Sequence, residues 1–204
     1  MNALAAAARS AGVRDERVLA AIAAVPRADF VPAEYVHQAN VDAPIPIPHG
    51  QVTTQPSLVA RMVDALELEG DERVLEIGTG YGWQTALLSR LAAEVFTIER
   101  FGDIAETARS ALAAYENVSV LIGDGSEGCL DHAPFDAIVV AAAYPDVPEP
   151  LVKQLAEGGR LVQPIGAGGD EDVVLFKKRA GALDPVRVVS GARFVRLYGR
   201  HGFR

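Results

Sequence analysis

In the run Val74-Leu75-Glu76-Ile77-Gly78-Thr79-Gly80-Tyr81-Gly82, an acid stands two residues ahead of the first of three alternate glycines. An apolar strand running straight into glycines makes a turn whose backbone can lie close against a ligand, because no Cβ intervenes. The dinucleotide fingerprint requires glycine at its first, third and sixth positions. Counted from Gly78 the sixth is Trp83, so the spacing here is Glu-x-Gly-x-Gly-x-Gly. A carboxylate at Glu76 suits a ligand with a cationic amino end and repels a pyrophosphate. S-adenosylmethionine has such an end, whereas NAD and nucleotide sugars would bring phosphates against it.

Two further acids extend the pattern. Glu99 closes the run Val95-Phe96-Thr97-Ile98-Glu99, 17 residues beyond Gly82, where an acid can accept both hydroxyls of a ribose. Asp124, in Gly123-Asp124-Gly125, follows a third apolar run and can accept from an adenine amino group. Each acid alone reads as a solvated strand end. As a set, Glu76, Glu99 and Asp124, with Gly78, Thr79, Gly80, Gly82, Arg100 and Gly125 beside them, predict a site for S-adenosylmethionine. Other chemistry is sparse. His37, His49, His132 and His201 are scattered without metal-ligand spacing, so no metal is expected. The lone Cys129 reads as a small, partly buried residue.

These residues need a scaffold, and the hydrophobic pattern supplies one. Short β-rich runs at Arg73–Ile77, Glu94–Ile98, Val118–Ile122, Phe135–Ala141 and Arg160–Pro164 alternate with helical stretches at Gln84–Leu91, Asp103–Ala114 and Glu149–Leu155. Continuous apolar strands alternating with helices imply a parallel sheet covered on both faces. Two later runs, Val173–Lys177 and Val186–Leu197, are separated by a Gly-Ala-Leu-Asp turn and predict an antiparallel hairpin. The sum is an α/β, doubly wound, seven-stranded class I methyltransferase fold: five parallel strands plus a C-terminal antiparallel hairpin. Residues 1–70 are expected to form an N-terminal helical extension and active-site loop, and residues 71–204 the S-adenosylmethionine-binding domain. Within the extension, Val18, Leu19, Ile22 and Val25 mark a helix stopped by Pro26. Pro44, Pro46 and Pro48 enforce an extended segment, and Pro56 opens a second helix that Thr54 or Gln55 could cap.

Half of the 204 residues are hydrophobic and 23% are charged, as in an ordinary globular protein. A net charge of −8 without a basic stripe argues against a nucleic-acid partner. The longest apolar stretch, Ala137 to Tyr144, is too short to cross a bilayer, and the alanine-rich start lacks the pattern of a signal peptide. A single cysteine gives no internal disulfide. The expectation is a cytoplasmic monomer with neither nucleic-acid nor membrane partners.

The motifs together resemble the protein-L-isoaspartate O-methyltransferase family over nearly the whole chain. The most specific stretch is Pro44-Ile45-Pro46-Ile47-Pro48-His49-Gly50-Gln51-Val52-Thr53-Thr54-Gln55-Pro56, similar to that family's proline-rich entry into a Gly-Gln-Thr-Ile-Ser-Gln-Pro loop. Val25-Pro26-Arg27…Phe30-Val31-Pro32, Pro134-Phe135-Asp136-Ala137-Ile138, Gly158-Gly159-Arg160-Leu161 and Arg193-Phe194-Val195-Arg196-Leu197 match as well. The resemblance implies methyl transfer from S-adenosylmethionine to the free α-carboxylate of L-isoaspartyl residues in damaged proteins or peptides. The ester then closes to a succinimide that hydrolyses partly to aspartate. It also implies that Thr54 orients the acceptor, while Thr53 and Gln55 in the same loop lie against the cofactor. Thr54 stands where the family has serine, Tyr81 where a small residue is usual, and Arg196 where the family has proline. These departures keep open an alternative acceptor, the carboxylate of another peptide or natural product.

Overall fold

A computed structural model, which describes residues 2–204, opens with two short helices. The first, α1 (Ala3–Ser10), forms because an alanine-rich run has high helix propensity and Asn2 caps it, accepting from Leu4 N at 2.9 Å. The second, α2 (Glu16–Ala24), is capped by Asp15 and stops before Val25-Pro26, as the proline requires. The alternate prolines then form a hairpin instead of a free extended segment. Strand β1 (Ile45–Ile47) pairs antiparallel with β2 (Gln51–Thr53) around Pro48-His49-Gly50. Ile45 and Ile47 point inward and are buried while Pro46 faces out, the edge position a proline tolerates. Helix α3 (Pro56–Ala65) follows, with Pro56 in its first turn. Leu4, Ala8, Val18 and Ile22 share one hydrophobic cluster with Met62, Val63 and Leu66 and with Val74 and Val139 of the sheet.

The sheet consists of β3 (Arg73–Ile77), β4 (Glu94–Glu99), β5 (Val118–Ile122), β6 (Phe135–Val140), β7 (Leu155–Ile165), β8 (Glu171–Arg179) and β9 (Ala182–Ala192) in the order β5-β4-β3-β6-β7-β8-β9. The first five are mutually parallel and the last two antiparallel, as expected. Connecting helices α4 (Trp83–Ser89), α5 (Gly102–Ala111) and α6 (Glu149–Gln154) complete the alternation. In β6 every residue but Asp136 is buried, which is why its sequence shows no polar alternation. The chain leaves β3 toward β4 and β5, then returns to lay β6 on the other side of β3. That reversal opens a crevice at the strands' C-terminal ends.

Three expectations about the C-terminal part need correction. The last hairpin turns at Ala180-Gly181, both with positive φ, so Ala182, Leu183 and Asp184 belong to β9. Strand β9 ends at Ala192; residues 193–197 leave β8 and run beside Ala143, with Ala143 N donating to Val195 O at 2.7 Å and Leu197 N to Ala143 O at 2.8 Å. Strand β7 begins at Leu155, directly after α6, well before Arg160.

Candidate active site

At the crevice the turn after β3 forms the floor of a cleft open to solvent. Gly78 has φ 93° and a Cβ built there would lie 3.4 Å from Cβ of Ala141, at the end of β6. Gly82 has φ 95°, and its Cβ would meet Leu112 of the α5 terminus at 2.8 Å. Both positions therefore demand glycine for their left-handed backbone, and at Gly82 a Cβ would also crowd the Leu112 side chain. Gly80 and Thr79 line the cleft between them.

Glu99, at the end of β4, is 6% exposed and lines the cleft. Its carboxylate accepts from Gly80 N at 3.0 Å and Phe101 N at 3.1 Å. A carboxylate has about four lone-pair sites, so two remain for a ligand's hydroxyls. Arg100 beside it lays its guanidinium over Tyr198 at 5.3 Å and over Phe101 at 5.0 Å, closing one rim. Gly125 also lines the cleft.

Two of the three acids sit differently from expectation. Glu76 has no exposed surface and does not line the cleft. It accepts from Gln84 Nε2 at 2.9 Å, from Thr97 Oγ1 at 2.7 Å and from Thr85 Oγ1. Burial pushes it up to about 7 against those donors. An acid two residues before the turn still lies in β3, and the strand's pleat turns it inside, so direct contact with a ligand's amino end is corrected. Asp124 does not line the cleft either. Its Oδ1 accepts from Ser126 N and Oγ at 2.9 and 2.6 Å, and its Oδ2 from Arg200 N at 2.6 Å. Burial raises its carboxyl, but these hydrogen bonds outweigh it and hold the group below the usual range. Asp124 fastens the C-terminal segment to the rim of the cleft.

The proline-rich hairpin covers the opposite side. Thr53 and Thr54 line the cleft, and Thr54 also lines a second cavity among Pro44, Leu58, Arg61, Ser190 and Phe194. Gln55 lines only the second cavity; its Nε2 donates to Asp42 Oδ2 at 3.0 Å and Ser57 Oγ at 3.1 Å, which corrects its placement against the cofactor. Neither Thr54 nor Gln55 caps α3 with its side chain. Asp42 does so from a distance, accepting from Ser57 N at 2.8 Å. His49 reaches away from the cleft: its ring stacks on Phe101 at 4.2 Å and Nε2 lies 2.9 Å from Asp103 Oδ2, clasping the hairpin tip to α5.

Arg27 organises this side, and its role was not visible in the motif that contains it. It is 1% exposed, and its guanidinium donates to Val41 O (3.1 Å), Ala43 O (3.0 Å), Thr53 Oγ1 (2.8 Å) and Thr54 O (3.3 Å). Burial lowers it to about 10, so it stays charged at neutral pH. Only Arg presents a rigid fork that can serve several carbonyls at once. The available signal was an arginine among apolar residues directly after a helix stop.

The sequence profile described as Protein-L-isoaspartate(D-aspartate) O-methyltransferase (PCMT) matches residues 1–202. The chain belongs to the protein-L-isoaspartate O-methyltransferase family. A protein-L-isoaspartate O-methyltransferase of Koribacter versatilis is 50% identical over 197 residues, covering 96% of this chain and 88% of its own. One from Myxococcus xanthus is 50% identical over 194 residues, covering 93% and 92%. A solved protein-L-isoaspartate O-methyltransferase superposes with a TM-score of 0.84 at 30% identity, over 98% of this chain and 66% of that one. As a protein-L-isoaspartate O-methyltransferase, the chain is an S-adenosylmethionine-dependent enzyme that methylates isoaspartyl residues in protein repair. The cleft fits that cofactor: a glycine floor without Cβ atoms, a carboxylate with free lone pairs and an aromatic rim. Among the described residues no helix is long and apolar enough to cross a membrane.

Proposed function

We propose that the methyl group passes to the free α-carboxylate of an L-isoaspartyl residue where the two cavities meet, and that Thr54 orients that carboxylate by donating its hydroxyl hydrogen. The observation that carries this reading is that Thr54 lines both the glycine-floored cleft and the cavity beside it. S-adenosylmethionine, when bound, supplies an electrophilic methyl and its own leaving group. The acceptor needs no general base, because a carboxyl with a pKa of about 4 is already ionised at pH 7. What remains for the chain is positioning and exclusion of water, together worth several kcal/mol.

In this reading the ribose lies on Glu99, the adenine on the Gly125 side, and the amino-acid end toward Thr79 and Gln84. Residues 1–70 bring the loop that covers the acceptor, and residues 71–204 the cofactor floor. The net charge of −8 supports a reaction without nucleic acid. Arg196 lines the cleft, its Nε donating to Ala167 O at 3.1 Å.

Paired synthetic peptides, identical except for isoaspartate or aspartate at one site, test the reading. Base-labile methyl label is expected on the isoaspartyl peptide alone. Equal labelling of both, or labelling only of some other peptide carboxylate, would replace isoaspartyl repair by the alternative acceptor.

A further inference from the structure

Beneath the cleft lies a buried polar cluster that no step above uses. Glu76 of β3 is enclosed by Gln84 and Thr85 at the start of α4 and by Thr97 of β4, with Val139 paired to it from β6. Burying a carboxyl fully is costly unless donors or a nearby cation compensate it. Here three neutral donors are present and, among the described residues, no cationic side chain contacts it; the charge acting on it is that of Glu99, which adds to the upward shift. A compensating cation from outside the chain would complete the cluster.

The hydrogen-bond directions show where it would enter. Gln84 is 8% exposed and lines the cleft. Its Nε2 donates one N–H to Glu76 Oε1 at 2.9 Å, which fixes the amide with its carbonyl oxygen turned away from the acid. Its carbonyl oxygen takes no hydrogen bond among the described residues, yet is not sealed from solvent, so it is an acceptor open to the cleft. Thr97 donates to Glu76 Oε2 at 2.7 Å and lies 2.6 Å from Thr79 Oγ1. When Glu76 is ionised the Thr97 proton is spent on it, so Thr97 accepts from Thr79, whose hydroxyl hydrogen then points inward and leaves oxygen lone pairs for the cleft. The ionised acid therefore sets two cleft-lining side chains, Gln84 and Thr79, as acceptors. An ammonium group, with three donors and no acceptor, is the complementary partner.

We propose that Gln84 binds the α-ammonium of S-adenosylmethionine, and that Glu76 is a positioning residue that orients Gln84 and Thr79 and supplies the counter-charge without touching the cofactor. This rests on the reading that the cofactor occupies the glycine-floored cleft. With the adenosine on the β4 and β5 side, the amino-acid end extends toward β3 and the start of α4, where Gln84 stands. Glu76, pushed up to about 7 by burial, is partly protonated near neutral pH. A cation placed against Gln84 and Thr79 favours its ionised form, so binding releases a proton.

Calorimetry on wild type, Gln84→Leu and Glu76→Gln tests this with two ligands: S-adenosylhomocysteine, which carries the ammonium, and 5′-methylthioadenosine, which lacks the amino-acid end. Gln84→Leu is expected to weaken S-adenosylhomocysteine about tenfold and 5′-methylthioadenosine less than twofold. Titrations near pH 7 in two buffers of different ionisation enthalpy should show proton release when wild type binds S-adenosylhomocysteine. Release should vanish in Glu76→Gln and with 5′-methylthioadenosine. Equal weakening of both ligands by Gln84→Leu would reduce Gln84 to a wall of the cleft and overturn the assignment. Release that persists in Glu76→Gln, or none in wild type, would remove Glu76 from it. If wild type binds neither ligand, the cofactor reading itself falls.

Discussion

Thr54 shows how the structure separates two roles that its sequence position leaves together. A threonine two residues before a helix-opening proline is equally suited to capping a helix and to orienting a ligand. The cap is supplied by Asp42, whose Oδ1 takes Ser57 N, so the Thr54 hydroxyl has no structural duty at α3. Thr54→Val, which keeps the shape and removes the hydroxyl, is expected to leave the melting temperature unchanged. Turnover should fall about 10- to 100-fold, the equivalent of about 1.5–3 kcal/mol for a hydrogen bond to a charged group. Thr54→Ser should keep activity and take bulkier neighbours of the isoaspartate. If the valine variant turns over like wild type per folded, cofactor-loaded protein, Thr54 does not touch the reaction. Glu99 is different in kind, because its carboxylate holds Gly80 N and Phe101 N as well as facing the cleft. Glu99→Ala should weaken S-adenosylhomocysteine by about 1.5–3 kcal/mol and lower the melting temperature too. Unchanged affinity by calorimetry would take Glu99 out of the ribose site.

Among the elements, the parallel strands were legible because burial on both faces leaves only apolar residues, as in Phe135–Val140. The terminal strand was misjudged because Arg193–Leu197 has β-forming composition whichever partner it pairs with, and composition does not name the partner. In the structure Glu171 Oε2 takes Phe194 N at 2.8 Å and Ala143 takes Leu197 N, so the segment turns toward the cleft. Of the three acids only Glu99 lines the cleft; the burial of Glu76 follows from strand phase at the end of β3, which the motif spacing does not give. Least legible was the covering loop, held by a single side chain from elsewhere. Arg27 donates to four of the loop's acceptors, and lysine, a point charge without a fork, cannot replace it. Arg27→Lys should cost about 1–3 kcal/mol in urea unfolding, through carbonyls left unpaired. Amide exchange should speed up at residues 39–54 before the sheet is affected. Uniform loss across the molecule would mean that the loop and sheet open together.

For the molecule as a whole, the buried acid sets an unusual pH dependence. Asp42, Glu72 and Asp124 all lie below their ordinary values; burial raises each, and hydrogen bonds outweigh it. Groups of this kind stabilise above the unfolded carboxyl value and lose that contribution as the pH falls through the folded one. Glu76 has the opposite sign. Its folded value of about 7 exceeds the ordinary 4.5, so the folded chain holds this proton more tightly than the unfolded chain. Its contribution is fully present below 4.5 and is lost as the pH rises toward 7. The two trends place the greatest stability of the ligand-free protein on the acid side of neutrality, near the 4.5 end of that interval. Between pH 5 and 7 the melting temperature of wild type is expected to fall as the pH rises. Glu76→Gln keeps the side chain's shape, since the hydroxyls of Thr85 and Thr97 can turn to accept from its amide, but cannot titrate. Its melting temperature should be flat over the same interval. Saturation with S-adenosylhomocysteine should shrink the fall in wild type, because a bound ammonium favours the ionised carboxylate and binding tightens as the pH rises. Melting curves of both proteins, with and without ligand, check this directly. Parallel pH profiles for the two ligand-free proteins would show that Glu76 is ionised throughout and that its donors outweigh its burial.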